Sequence, residues 1–239
     1  VNGTTEFSLD SSVATFAGTV AATSFNGIPF FSDAANSSMY THDVSGTDST
    51  ATGNTAYGFN ALDAITTGDY NMVFGNAAGG ALTTGERNVL MGYAAGDALV
   101  EGSNNVAVGH GALSTEDANG STTAVGYKAL NLQNAGAESY NVAVGYHAGL
   151  VTTTGVQNTV LGARALQANT VGASNVAIGY QALFTNVDGS RSIAIGTNAL
   201  LAQEPASATE MHNVAIGYNA GAAVTTGVEN TIIGGLAGD

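Results

Sequence analysis

Short apolar runs closed by glycine recur along this chain, as NVAVG at residues 141–145 and NVAIG at 175–179 and 213–217. Aligned on that glycine, eleven copies fall into place, at Gly58, Gly75, Gly92, Gly109, Gly126, Gly145, Gly162, Gly179, Gly196, Gly217 and Gly234. Successive glycines stand 17 residues apart, except for steps of 19 (Gly126 to Gly145) and 21 (Gly196 to Gly217). Four residues before the glycine stands Asn54, Asn71, Asn88, Asn105, Asn141, Asn158, Asn175, Asn213 or Asn230, with Thr122 and Ser192 in the two remaining copies. The residue immediately before it is apolar in every copy, and the third residue after it is alanine in every copy, from Ala61 to Ala237. A period this regular marks a repeat architecture in which each unit packs on its neighbours. A run rich in β-branched residues between Asn and Gly reads as a short strand, and no stretch here has helical periodicity.

About ten residues past each glycine comes a turn signal, such as TTG at 66–68, 83–85, 153–155 and 225–227. These glycines are expected to supply the positive φ of a tight corner. Each unit then forms one coil of a stack. Rungs about 4.8 Å apart would make a rod roughly 50 Å long, with equivalent strands in parallel register. The Asn residues are expected to form a structural ladder, each amide bonding to a neighbouring coil, and the alanine column to mark a spot too narrow for a larger side chain. In NVAIG at 213–217, Val214 and Ile216 point one way and Ala215 the other. The expected arrangement puts the large aliphatics inside each coil and the small residues on a second face. Neither face carries charge, and a parallel sheet needs cover on both. Other copies of the same chain, approaching closely over the small face, are the expected cover.

NVAIGYQAL at 175–183 and NVAIGYNAG at 213–221 resemble the N-x-V-A-I-G coil of YadA-like heads, the left-handed β-roll of trimeric autotransporter adhesins. The resemblance covers residues 54–238, although the period here is longer and Ala-Leu or Ala-Gly stands where the adhesins tend to have Ser. In that period the chain looks more like arrays in bacteriophage tail fibres and other virion fibres. SVATFAGTVAATSFNG at 12–27 is similar to stretches common in tail fibres and tailspikes, where three chains wind a slender stalk. Its alternating apolar residues and glycines independently suggest thin β structure. The resemblance implies left-handed coils, a homotrimer and a virion location, with a bacterial outer-surface adhesin head as the alternative. The fold class expected is therefore all-β: a parallel β-roll or β-helix of eleven coils of about 17 residues with an N-terminal stalk. Residues 1–27 read as stalk, 28–53 as connector and 54–239 as shaft. The final run, NTIIGGLAGD at 230–239, stops before its own turn, so more protein is expected to follow; in fibres of this kind that is often a self-cleaving trimerisation chaperone. The valine at position 1 likewise suggests a processed chain or a fragment.

Composition narrows the partners. Only 9% of residues are charged, and four Lys and Arg face eighteen Asp and Glu for a net charge of −14. Arg87, Lys128, Arg164 and Arg191 are scattered in sequence, which argues against nucleic acid or an anionic membrane surface. With no Cys, neither disulfides nor thiolate metal sites contribute. No run approaches a membrane-spanning length. His42, His110, His147 and His212 lack ligand spacing, and acids such as Asp69, Glu86, Glu101 and Glu229 follow the turn rhythm of a solvated rim. No cofactor, metal or catalytic residue is expected, and a polysaccharide depolymerase with paired carboxylates ranks behind both structural readings. The column with binding potential directly follows the aligned glycine: Phe59, Tyr93, Tyr127, Tyr146, Tyr180 and Tyr218, with His110 among them. Such rings either pack as a structural ladder or present flat faces to the sugars of a host-surface glycan. Loops near residues 138–140 and 204–210 are further candidates for recognition.

Overall fold

The computed structural model describes residues 24–25, 28–29, 31–33, 38–40, 50–118 and 120–239. It is a parallel β-solenoid without helix among those residues. The expected stalk lies outside the described residues apart from Ser24–Phe25, which pairs antiparallel with Ile28–Pro29.

Each coil contributes one three-residue strand, from Thr55–Tyr57 to Thr231–Ile233. Neighbouring coils pair in parallel in strict repeat register, for example Ala143 with Val160 and Ala177 with Ala194. Two segments before the repeat, Phe31–Asp33 and Ser38–Tyr40, complete a thirteen-stranded sheet. Tyr40 stands beside Ala56 in the inward column and is 1% exposed, so a large ring fills the interior beside the first coil.

The strand ends where it does because the aligned glycine leaves β space, with φ between +126° and +144°. The same glycines stack with almost no clearance: a Cβ on Gly145 would overlap the carbonyl of Gly162, one rung on. The turn glycines behave differently from expectation. Gly68, Gly85, Gly155, Gly172 and Gly189 are not at positive φ; a Cβ on the first four would overlap the backbone of the next rung, and one on Gly189 would overlap the Asn186 side chain. Positive φ falls instead on non-glycine residues two and four places past the aligned glycine, and five before it. His147, Leu130 and Tyr140 exemplify the three columns, with φ of 57°, 46° and 50°.

The direction of the strand side chains is the reverse of the sequence expectation. The middle residue is the buried one: Ala56, Val73, Leu90, Ala107, Ala124, Ala143, Val160, Ala177, Ala194 and Ala215 are at most 1% exposed. The large flanking residues point outward, so that Phe74, Met91, Leu161, Ile216 and Ile233 lie on the surface. The reason is space. The interior also receives the alanine column from Ala61 to Ala220 and Leu62, Leu113, Leu130, Leu166, Leu183 and Leu200 from the corner, all fully buried. That leaves room for little more than a methyl from the strand. Holding a leucine at positive φ costs on the order of 1–3 kcal/mol, and burying its side chain returns about 1.5–3 kcal/mol. Where the corner residue is glycine, neighbours fill the gap: Leu90 reaches toward Gly79 and Gly96, and Leu130 toward Gly149.

The Asn ladder forms as expected. The Asn54 Oδ1 accepts the Asn71 backbone N–H at 2.8 Å, and the Asn54 Nδ2 donates to the Gly68 carbonyl at 2.8 Å. One amide therefore closes its own coil and ties it to the next. The two exceptions precede the two long coils, and there a glutamine supplies the amide group. Ser192 Oγ and Asn213 Nδ2 both bond Gln203 Oε1, at 3.1 and 2.8 Å. Asn141 Nδ2 donates to Gln133 Oε1 at 2.6 Å, and Thr122 meets the buried Ser139 hydroxyl.

Fully buried Ala182 and its neighbour Gln181 test this packing. Ala182→Leu should cost on the order of 1–3 kcal/mol per chain through overpacking, whereas Gln181→Leu should change stability by less than about 0.5 kcal/mol. Urea denaturation of both variants measures the difference, and equal midpoints would refute the assignment of inner and outer columns.

Candidate aromatic and cationic surface

Past the aligned glycine the chain turns a corner, and the next two residues are presented on the rod's surface. The first belongs to the aromatic column. The second has positive φ and donates its backbone N–H to the carbonyl of the aromatic column one coil earlier. Lys128 bonds His110 at 2.9 Å, His147 bonds Tyr127 at 3.0 Å and Arg164 bonds Tyr146 at 2.8 Å. Backbone pairing between coils therefore fixes both columns side by side.

Three of the six predicted aromatic residues come together. Tyr93 stacks on His110 with ring centroids 4.9 Å apart, His110 lies 5.3 Å from Tyr127, and Tyr127 stacks on Tyr146 at 5.4 Å with an interplanar angle of 10°. Phe59, Tyr180 and Tyr218 stand in the same column but do not extend this stack, because the rungs beside them carry Asn76, Ala163, Thr197 and Gly235. A separate pair, Tyr57 and Phe74, stacks at 4.9 Å on the outward strand face.

His147 enters the stack from the second column. Its imidazole lies 3.9 Å from the Tyr146 ring and 5.4 Å from Tyr127, and Lys128 Nζ sits 5.8 Å from the Tyr127 centroid. Burial lowers the His147 pKa below the ordinary histidine value, and the charges of Arg164 and Lys128 push it the same way. Lys128, His147 and Arg164 occupy one column on three successive coils, a coincidence that scattering along the sequence conceals. The signal that finds them is the second position after the aligned glycine, read across coils.

Among the described residues no group of three or more His, Asp and Glu side chains is placed to hold a metal ion. No helix there is long and apolar enough to cross a membrane. Arg191 and Glu210 pair at 2.9 Å beside the two-stranded ladder of Gly189–Ser190 and Thr209–Glu210 that organises the longest coil. Both partners are more than half exposed, so this bridge adds little stability. Comparisons with protein-family models, curated proteins and solved structures find no match to this chain.

Proposed function

We propose that this chain is a shaft segment of a homotrimeric virion fibre, a rigid spacer whose stacked aromatic surface attaches to a glycan on the host. One observation carries the assembly. On the outward strand face the residue before the aligned glycine is apolar in all eleven coils, from Tyr57 and Phe74 through Met91 and Leu161 to Ile216 and Ile233, and no coil strand carries a charged residue. The length of this apolar ribbon, roughly 50 Å at rung spacing, is far beyond a scattered surface patch and calls for a partner of matching length. A second and third copy of the same rod meet that need, while the acidic remainder of the surface keeps other faces apart. The N-terminal similarity to tail fibres at residues 12–27 and the 17-residue period support the virion assignment.

The NVAIG motif at 175–179 and 213–217 supports a second reading, the head of a YadA-like adhesin on a bacterial surface. Antibody labelling of virions against bacterial cells separates the two. Multi-angle light scattering tests the assembly: the expected mass is three times the 23.7 kDa of one chain, and a stable folded monomer would overturn the proposal. Neither reading involves catalysis. Release of oligosaccharides from host capsule by the purified rod would favour a depolymerase instead.

A further inference from the structure

We infer that Tyr127, Lys128, Tyr146, His147 and Arg164 form a binding surface for an acidic saccharide, one whose rings carry carboxylates. The inference rests on the glycan-attachment reading above and narrows it to a sugar class and a place on the rod. Tyr127 and Tyr146 stand as two nearly parallel rings that remain 42% and 47% exposed. Flat aromatic faces take the apolar face of a sugar ring and leave its hydroxyls to solvent.

The cations supply the charge preference. Lys128 and Arg164 flank His147 one rung to either side, so two permanent positive charges stand about 10 Å apart by rung spacing. The surroundings lack the acids that dominate the rest of the chain: between Asp117 and Asp188 the sequence contains only Glu138. Glu138 is exposed and lies ten residues beyond Lys128, on the turn of that longer coil. In a chain of net charge −14 this is a long stretch with a single acid, which lowers the repulsion that an anion meets. Two lysine or arginine side chains are few for a nucleic-acid strand, which needs cations along its phosphates, but they suit a short acidic sugar. Arg164 can also grip a carboxylate with two parallel N–H donors.

His147 makes the binding pH-sensitive. The groups facing it are the rings of Tyr127 and Tyr146 and the cations Lys128 and Arg164, all of which leave the imidazole neutral at neutral pH. A bound carboxylate favours the protonated imidazole, so complex formation takes up a proton, and affinity rises as pH falls below the ordinary histidine range.

The test is calorimetric titration of the intact chain with oligogalacturonate, with neutral maltoheptaose and with single-stranded oligothymidine. Oligogalacturonate should bind, more weakly in high salt and more tightly at about pH 5.5 than at about pH 7.5. The double variant Lys128→Gln with Arg164→Gln should lose about tenfold in affinity or more. Glutamine already occupies this column at Gln181, so the variant retains the fold, which circular dichroism verifies. Tyr146→Ala should weaken binding as well, alanine standing at the equivalent Ala163. Equal binding of maltoheptaose, unchanged in the double variant, would overturn the acidic preference while leaving a sugar-binding surface. Oligothymidine binding as tightly as oligogalacturonate would overturn the saccharide class. No binding by a rod of trimeric mass would overturn both this inference and the attachment reading, leaving only the shaft.

Discussion

Alanine in place of Gly145 is expected to break the rod locally and to be among the most damaging single-methyl changes the chain admits. Two penalties coincide at this position. The residue holds φ at +143°, where an L-residue is strained by on the order of 1–3 kcal/mol. The added Cβ would also overlap the Gly162 carbonyl and carbon, which are backbone atoms held by the rung and unable to swing aside. Forced overlap of that kind adds a further 1–3 kcal/mol or so. The Gly145 N–H donates to Val125 O at 2.8 Å, so moving this coil away from Gly162 strains its bond to the coil before it. Gly136 provides the comparison. It too has positive φ, at 68°, but nothing lies within 4 Å of its would-be Cβ. Gly136→Ala should therefore cost only about 1 kcal/mol. Thermal denaturation should show a large drop in midpoint for Gly145→Ala and a small one for Gly136→Ala. Comparable drops would mean that φ strain alone, and not the stacking of glycine on carbonyl, governs the column.

The period, the strands and the Asn ladder were legible in the sequence because each follows from identity at a fixed spacing. A residue that closes its own coil and ties the next must recur once per coil, and asparagine does. The facing of the strand was not legible. Alternation in NVAIG says that Val214 and Ile216 share one side and Ala215 takes the other, but it does not say which side is inside. That depends on what else enters the interior. The answer lies in the corner leucines, such as Leu130 and Leu166, whose positive φ of 46° and 48° no propensity scale anticipates for that residue type. The turn glycines misled for a related reason. At Gly155 and Gly172 the requirement is clearance between stacked rungs, a property of neighbouring coils that one coil's sequence does not reveal. The aromatic column was visible as a column, yet its division into a continuous stack and isolated rings depends on Asn76, Ala163 and Thr197 interrupting it. Lys128, His147 and Arg164 were read as dispersed because they are 17 to 19 residues apart, which in a coil of this period makes them neighbours.

Ile178→Asp is expected to dissociate the proposed homotrimer without unfolding the coil. Ile178 points out of the sheet, pairs in register with Leu161 and Ile195, and so sits within the apolar ribbon with coils on either side. On a lone rod the carboxylate would remain in water, and the change should stay near the roughly 1 kcal/mol span of strand preferences. Against sister chains it would bring three like charges into an apolar contact with no partner, a loss of several kcal/mol per chain by the cost of burying an unpaired ion. The expected result is a fall in light-scattering mass from the trimer to a single chain, while circular dichroism still reports β structure. Ala177→Asp, one residue earlier and fully buried within its own coil, should abolish the β signal whatever the assembly. The pair separates the two sides of one strand by different observables, mass for one and fold for the other. An Ile178→Asp rod that keeps its full mass would place the chain-to-chain contact elsewhere and leave the ribbon to another occupant.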